Sequence, residues 1–320
     1  MHELSSRLGL NVPNGWWPTA PLLKSLEAAA FGWVQVHTPP RAVLVDRELS
    51  LQHADRLRAA LDAGGLGLVL HGPDDLSAGE PEHDRALDGL LDYAAAAGAR
   101  YVVYHGANFP VADGGHAARR LRERAAAEEA SLRARVPRIQ AIGVTLAIEN
   151  LAPVWPGPPR LCHCPTVVRE LVDRLDSHRV CMLLDLGHAH ITAGRGLVAT
   201  LDEVADAVGL FHLHDNLGDR RPGAGARVGG MGGPGTDPLR LDLHLPPGGG
   251  RLPWEAIGPA LVAHEAPLVL EVHPPHRPDP MSLAEVTADL LLRRRAVAAA
   301  RPAVPAPAPS QALHRSFTAA

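Results

Sequence analysis

A chain of 320 residues with no mid-chain low-complexity linker is long enough for one large α/β core. Its formal net charge of -4 offers no general attraction to a polyanion, which argues against a nucleic-acid partner unless a local basic groove supplies one, and three cysteines give no disulfide framework. Lys24 is the only lysine and lies in a helical pattern away from any strand end, so Schiff-base chemistry, which needs a desolvated lysine in the site, is excluded.

The first segment, MHELSSRLGLNVPNGWW, lacks the basic region and apolar stretch of a secretory signal. No apolar run approaches the length of a membrane span, so a cytoplasmic protein without membrane contact is expected. Eight short apolar or β-branched runs then follow: LGLNVP (8–13), WVQVHT (33–38), GLGLVLHG (65–72), YVVYHGA (101–107), TLAIEN (145–150), CMLLDLGH (181–188), GLFHLHDN (209–216) and LVLEVHP (268–274). Between them apolar residues recur at helical spacing, most clearly over 49–63, 84–97, 117–136, 165–176 and 282–298. Strand and helix alternating eight times predict an α/β fold, a parallel (β/α)8 TIM barrel. A doubly wound open sheet fits less well, because no G-x-G-x-x-G turn follows the first run.

Six of the runs, in order, end on or just before an imidazole or carboxylate: His71, His105, Glu149, Asp185 with His188, His212 with His214, and Glu271. Asp242 and His244 lie between the last two. A buried strand has no structural need for such an ending, since an unpaired buried charge or imidazole costs several kcal/mol, about 2–7 for a neutral polar group and more for an ion. Residues two apart on a strand share a face. An inward Glu149 therefore implies inward Ala147 and Thr145, a small-inside pattern, and His212 and His214 face the interior together.

Two regions break the rhythm. Residues 217–250 are rich in glycine and proline and are expected to form a lid or wall beyond the seventh strand. Residues 299–320, alanine- and proline-rich, are expected to be a disordered tail after a catalytic barrel spanning 1–298.

Taken together the eight segments resemble the xylose isomerase-like barrel superfamily, which includes sugar and sugar-phosphate isomerases and epimerases and the endonuclease IV type of repair enzyme. That resemblance implies a divalent metal held by Glu149, Asp185, His212 or His214, and Glu271, with His212 preferred. It also implies that His71, His105, His188, Asp242 and His244 bind further ions, as in the endonuclease branch, or contact substrate. One to three ions of Mn, Mg, Co or Zn are thus expected, and a homo-oligomer is possible by analogy with relatives that pair their barrels. The segment GGGRLPWEAI (248–257), by contrast, resembles one found in sugar epimerases.

On that basis Glu149 and Glu271 are candidate proton-transfer carboxylates and His188 a candidate contact to a substrate oxygen. Trp16, Trp17 and Trp155 follow the first and fifth strands and could stack on a sugar or simply pack the rim. Arg220, Arg221 and Arg227 in the lid are candidate contacts to a substrate phosphate or carboxylate, with a solvated charge run as the commoner reading, and Arg251 is a further candidate contact to a small sugar-like substrate. Cys162 and Cys164, in the sequence CHC, lack a second half-site and read as structural. The leading expectation is a metal-dependent isomerase or epimerase working through an enediolate. The alternatives are a multi-zinc phosphodiesterase resembling endonuclease IV and a non-catalytic metabolite-binding barrel.

Overall fold

The computed structural model describes residues 2–62, 64–107, 117–152, 160–193, 196–218 and 242–292. Eight strands close into one barrel in chain order: β1 Leu8–Asn11, β2 Trp33–His37, β3 Gly67–His71, β4 Tyr101–Tyr104, β5 Thr145–Glu149, β6 Val180–Asp185, β7 Val208–Leu213 and β8 Leu268–Leu270. Every neighbouring pair is parallel, β1 with β8 included, so the sheet has no free edge. The described helices are α1 His2–Ser5, α2 Ala20–Ala28, α3 Arg41–Val45, α4 Arg47–Leu61, α5 Pro81–Ala97, α6 Ala117–Ile142, α7 Pro165–Leu175, α8 Leu186–Ala193, α9 Leu197–Val204, α10 Trp254–Ala263 and α11 Pro280–Leu292.

Local chemistry explains several of these boundaries. Proline at the first turn starts α5 and α7, where a missing N–H costs nothing. Asp46 caps α4 by accepting from the backbone N–H groups of Glu48 and Leu49. Gly98 ends α5 in the left-handed region that glycine enters freely.

Strand alternation sorts the core into two parts. Outward residues such as Leu68, Leu70, Ile148, Phe211 and Leu213 pack against the helices. Inward, Val69, Val103, Ala147, Leu183, Leu210 and Val269 form a separate fully buried layer, resting on Trp33, Tyr101 and Cys181 below. The small-inside expectation from β5 is therefore local to that strand, because branched side chains from five other strands fill the interior around Ala147. Gly67 makes room for Trp33, since a β-carbon there would collide with the indole. Above this apolar layer the next inward residue of each strand is polar. Gln35, Glu149, Asp185 and His212 are each buried to within 1 % of full enclosure. The sequence thus builds a sealed apolar floor and places the polar ends at the C-terminal mouth, where barrels of this kind carry their sites.

Candidate metal centre

The polar layer gathers into three adjoining groups whose potential ligand atoms lie within 4.8 Å of one another: Glu149, Asp185, His212 and Glu271; His188, His214, Asp242 and His244; and His71, Asp74 and His105. In the first, His212 Nδ1 lies 3.3 Å from Glu149 Oε1, 3.5 Å from Glu271 Oε2 and 3.7 Å from Asp185 Oδ2. The opposite ring nitrogen, Nε2, is 2.8 Å from Gln35 Oε1, which accepts its hydrogen. Nδ1 therefore faces three carboxylates and offers them a proton, or a metal ion a lone pair once that proton leaves. Gln35 also donates through Nε2 to Glu271 Oε1 at 2.5 Å, so one buried amide orients two members of the group.

Asn150 fixes the β5 and β6 ends to each other, donating to the Asp185 carbonyl at 3.0 Å and accepting from the Asp185 N–H at 2.9 Å. Asp185 Oδ1 in turn accepts from the His188 N–H at 2.7 Å, at the start of α8. The third group is bound to the first through His105 Nε2, 3.3 Å from Glu149 Oε2 and 3.1 Å from His71 Nε2.

Among the described residues the ion-pair partners of Glu149, Asp185, Asp242 and Glu271 are all histidines. No guanidinium or ammonium among the described residues balances these carboxylates, which leaves protons or a metal ion to do so. Protons do so in the metal-free chain. Burial pushes the His212 imidazole down, but Glu271 and Glu149 outweigh it and lift His212 to about 10. Burial is likewise overcome at His244, raised to about 9 by Asp242, and at His188, raised by Asp185 and Asp242. Burial alone would raise Glu149, yet His212, His105 and His188 hold it well below the usual carboxylate range. His71 goes the other way: burial and the neighbouring His37 and His105 keep it neutral.

Glu149 Oε2 and Asp242 Oδ1 are buried acceptors with no hydrogen bond. Buried carboxylate oxygens beside imidazoles that can give up a proton are the donor set that divalent ions take. The residues present therefore fit a metal. Above them a cavity of about 190 Å³ opens, lined among others by Asn11, His37, Glu149, His188, His244 and Glu271.

Over residues 23–293 the sequence matches the xylose isomerase-like TIM barrel family. The chain belongs to this family. A comparison of the sequence with curated proteins returns no match. Similar solved structures include 3-keto-D-glucoside 4-epimerase from E. coli, at 15 % identity and a TM-score of 0.62 over 89 % of this chain and 98 % of that one. D-Psicose 3-epimerase in the presence of D-fructose is similar at 14 % identity and a TM-score of 0.60, over 87 % and 89 % of the two chains. The probable 3-DHS dehydratase of petrobactin synthesis from Bacillus anthracis aligns at 12 % identity and a TM-score of 0.60, over 90 % and 99 %. At such identities the likeness shows the shared barrel, which hosts more than one reaction.

Within this xylose isomerase-like barrel the structure brings His71, His105, Glu149, Asp185, His188, His212, His214, Asp242, His244 and Glu271 to one mouth. It separates the two seventh-strand histidines, His212 joining the carboxylate-rich group and His214 the second group. The candidate substrate contacts are placed differently. Trp17 packs edge-on to His53 at 5.1 Å and under the Arg56 guanidinium at 5.5 Å, and Trp16 is 61 % exposed, so neither lines the cavity. The Arg251 side chain is exposed, while its backbone N–H bonds Asp215. Trp155, Arg220, Arg221 and Arg227 lie outside the described residues, as do 219–241 of the expected lid and the whole of 299–320. Cys162 sits against Gly106, where a β-carbon would collide with its sulfur, and is a packing residue.

Gln35, His37, Asp74 and His273 were not singled out by sequence. Gln35 and His37 share the inward parity of Trp33 on β2, and a polar residue at that parity was the available signal. His273 stacks on His244 at 4.5 Å, and Asp74 lies three residues beyond His71.

Proposed function

We propose that the chain is a divalent-metal-dependent isomerase or epimerase acting on a small sugar, sugar phosphate or inositol-like substrate. One observation carries this reading: Glu149 and Glu271, from β5 and the end of β8, meet at His212 and both reach the cavity wall. Two carboxylates converging on one substrate space are what removal and return of a proton at carbon require. Family membership and the epimerases among the similar structures support the reading.

Glu149, Asp185, His212 and Glu271 would hold the ion. When bound, it would polarise a substrate carbonyl and make the neighbouring C–H more acidic. The rest is done by the chain. Glu149 and Glu271 take the proton and deliver it, leaving the substrate as an enediolate in between. His188 lines the same cavity and would hold a substrate oxygen. The sealed floor of Val69, Val103 and Leu183 keeps water from entering beneath the reacting carbon.

The test is incubation of metal-loaded protein with ketoses in deuterium oxide. Deuterium at the carbon beside the carbonyl is the expected result, and absence of exchange on every sugar tried overturns the reading. A multi-metal phosphodiesterase is favoured by a different observation, the two further ligand groups adjoining the first. Cleavage of a phosphodiester by protein holding three ions would establish that reading in its place.

A further inference from the structure

We propose that Asn11, His37 and Asp74 form a hydroxyl-reading face of the cavity, which selects an uncharged polyol chain and turns away a phosphorylated one. The inference rests on the isomerase reading and narrows its substrate class. These side chains come from the ends of β1 and β2 and from the loop after β3, and all three line the cavity beside Glu149 and Glu271. A substrate whose reacting carbon sits between the two glutamates meets this face with its remaining carbons.

Each of the three has hydrogen-bonding capacity that the chain leaves unused. Asp74 Oδ1 is a buried acceptor with no hydrogen bond, 3.8 Å from His71 Nδ1 and 3.9 Å from His105 Nε2. Asn11 Oδ1 takes a long bond from Gln35 Nε2 at 3.3 Å, and the Asn11 amide N–H groups remain to donate. His37 pairs in register with His71, its ring 4.2 Å from that ring, and among the described residues neither of its nitrogens has a hydrogen bond. A hydroxyl both donates and accepts, so a polyol can satisfy all three. A phosphate ester cannot, because its oxygens mainly accept and it carries about -1.5 to -2 charges, whereas Asp74 requires a donor and is itself a carboxylate.

The loop that carries Asp74 is held from beneath. Buried Arg160 donates through Nη1 to the Leu76 carbonyl at 3.2 Å and to the Gly106 carbonyl at 3.0 Å. The Tyr104 hydroxyl accepts from the Ala78 N–H at 3.0 Å and donates to buried Glu128 at 2.7 Å. Arg160 is thus committed to backbone under the loop, and the described lining of the cavity contains no arginine or lysine that would offset Asp74. The competing account is an ordinary loop carboxylate, since 45 % of the Asp74 side chain is accessible.

A ketose and its terminal phosphate ester separate these accounts. With the metal-loaded full chain in deuterium oxide, D-fructose should exchange with a kcat/KM at least about 10-fold above that of D-fructose 6-phosphate, the factor that a hydrogen bond to a charged acceptor carries. Asp74→Asn keeps the shape and an acceptor oxygen but removes the charge, and should narrow that gap by about the same factor through faster exchange of the ester. His37→Phe keeps the ring against His71 but removes both nitrogens, and should raise KM for D-fructose by about 2–10-fold with little change in kcat. Elemental analysis holds bound metal equal across the proteins. A faster ester overturns the proposal, as does a gap that survives Asp74→Asn or a native KM in His37→Phe. Exchange of neither sugar overturns the isomerase reading instead, and NMR titration of the same pair then decides: tighter binding of D-fructose, with the gap narrowed in Asp74→Asn, upholds the selection, and any other result ends it.

Discussion

Gln35 Oε1 accepts a hydrogen bond from His212 Nε2 at 2.8 Å, across the barrel interior from β2 to β7. The same amide donates to Glu271 at 2.5 Å, so a residue with no charge sets the tautomer of one ligand and the rotamer of another. A partner beyond the ligands that does this typically carries 10–100-fold in metal affinity, by roughly 1.4–2.8 kcal/mol. Gln35→Ala should weaken manganese or zinc binding at the first group by about that factor while circular dichroism stays unchanged. Isothermal titration of the metal-free variant measures it, and unaltered affinity would show that His212 is held by packing alone.

Removing either proton-transfer carboxylate should be felt at the chemical step. Glu149→Gln and Glu271→Gln are each expected to lower the deuterium-exchange rate by about 10²–10⁴-fold, the usual contribution of a positioned acid or base. Both also lose a ligand. Rates are therefore to be compared at saturating metal, with bound metal counted by elemental analysis. If Glu271→Gln, fully loaded, exchanges at the native rate, the two-carboxylate mechanism fails.

The barrel and most of the mouth were legible because the same device repeats eight times: an apolar run gives a strand, and a polar residue of inward parity at its end gives a site. His71, His105, Glu149 and Asp185 are read that way without a structure. His214 was not assignable from sequence, because spacing along β7 places both histidines inward; in the structure its Nε2 lies 3.0 Å from Asp185 and 3.8 Å from Asp242, between the two groups. Trp17 illustrates the opposite limit. An aromatic residue after a strand can face the substrate or the neighbouring helix, and here His53 and Arg56 on α4 supply the partners.

The protonated imidazoles give a pH signature. Glu271 and Glu149 raise His212 to about 10, and Asp242 raises His244 to about 9, in each case against burial. A pKa above its unfolded value near 6.5 stabilises the fold fully below 6.5 and loses that contribution as pH climbs through about 9 to 10. Glu149 and Asp185, both depressed, act with the opposite sign at the acid end. The metal-free chain should accordingly lose thermal stability steadily from near neutral pH to pH 10, and the metal-loaded chain much less. At pH 7 metal uptake should expel the protons of His212, His188 and His244, detected as buffer-dependent heat in titration calorimetry. Heat that is independent of the buffer would contradict the assignment.

Asp215 shows how the returning segment is held once the chain comes back to the mouth. Its fully buried carboxylate accepts from the backbone N–H groups of Asn216, Gly248, Arg251 and Leu252 and from the Trp254 indole, the last at 2.7 Å. Its backbone also pairs with Leu245, one residue past His244. Charge-assisted hydrogen bonds of this kind are worth about 1.5–3 kcal/mol each, and buried donors left without an acceptor cost a similar amount. Trp254→Phe removes one donor together with its bond and should destabilise the fold by about 1.5–3 kcal/mol. Asp215→Ala strands several donors at once and should cost about 4 kcal/mol or more, in the range reserved for a broken buried network. Denaturant unfolding gives both values. Metal titration adds a second readout: because Asp215 fixes the segment that carries His244, Asp215→Ala should weaken any metal binding at His188, His214, Asp242 and His244 more than at the group around His212, whereas Trp254→Phe should leave both nearly unchanged. Equal losses at the two groups would mean that Asp215 supports the barrel as a whole rather than this segment.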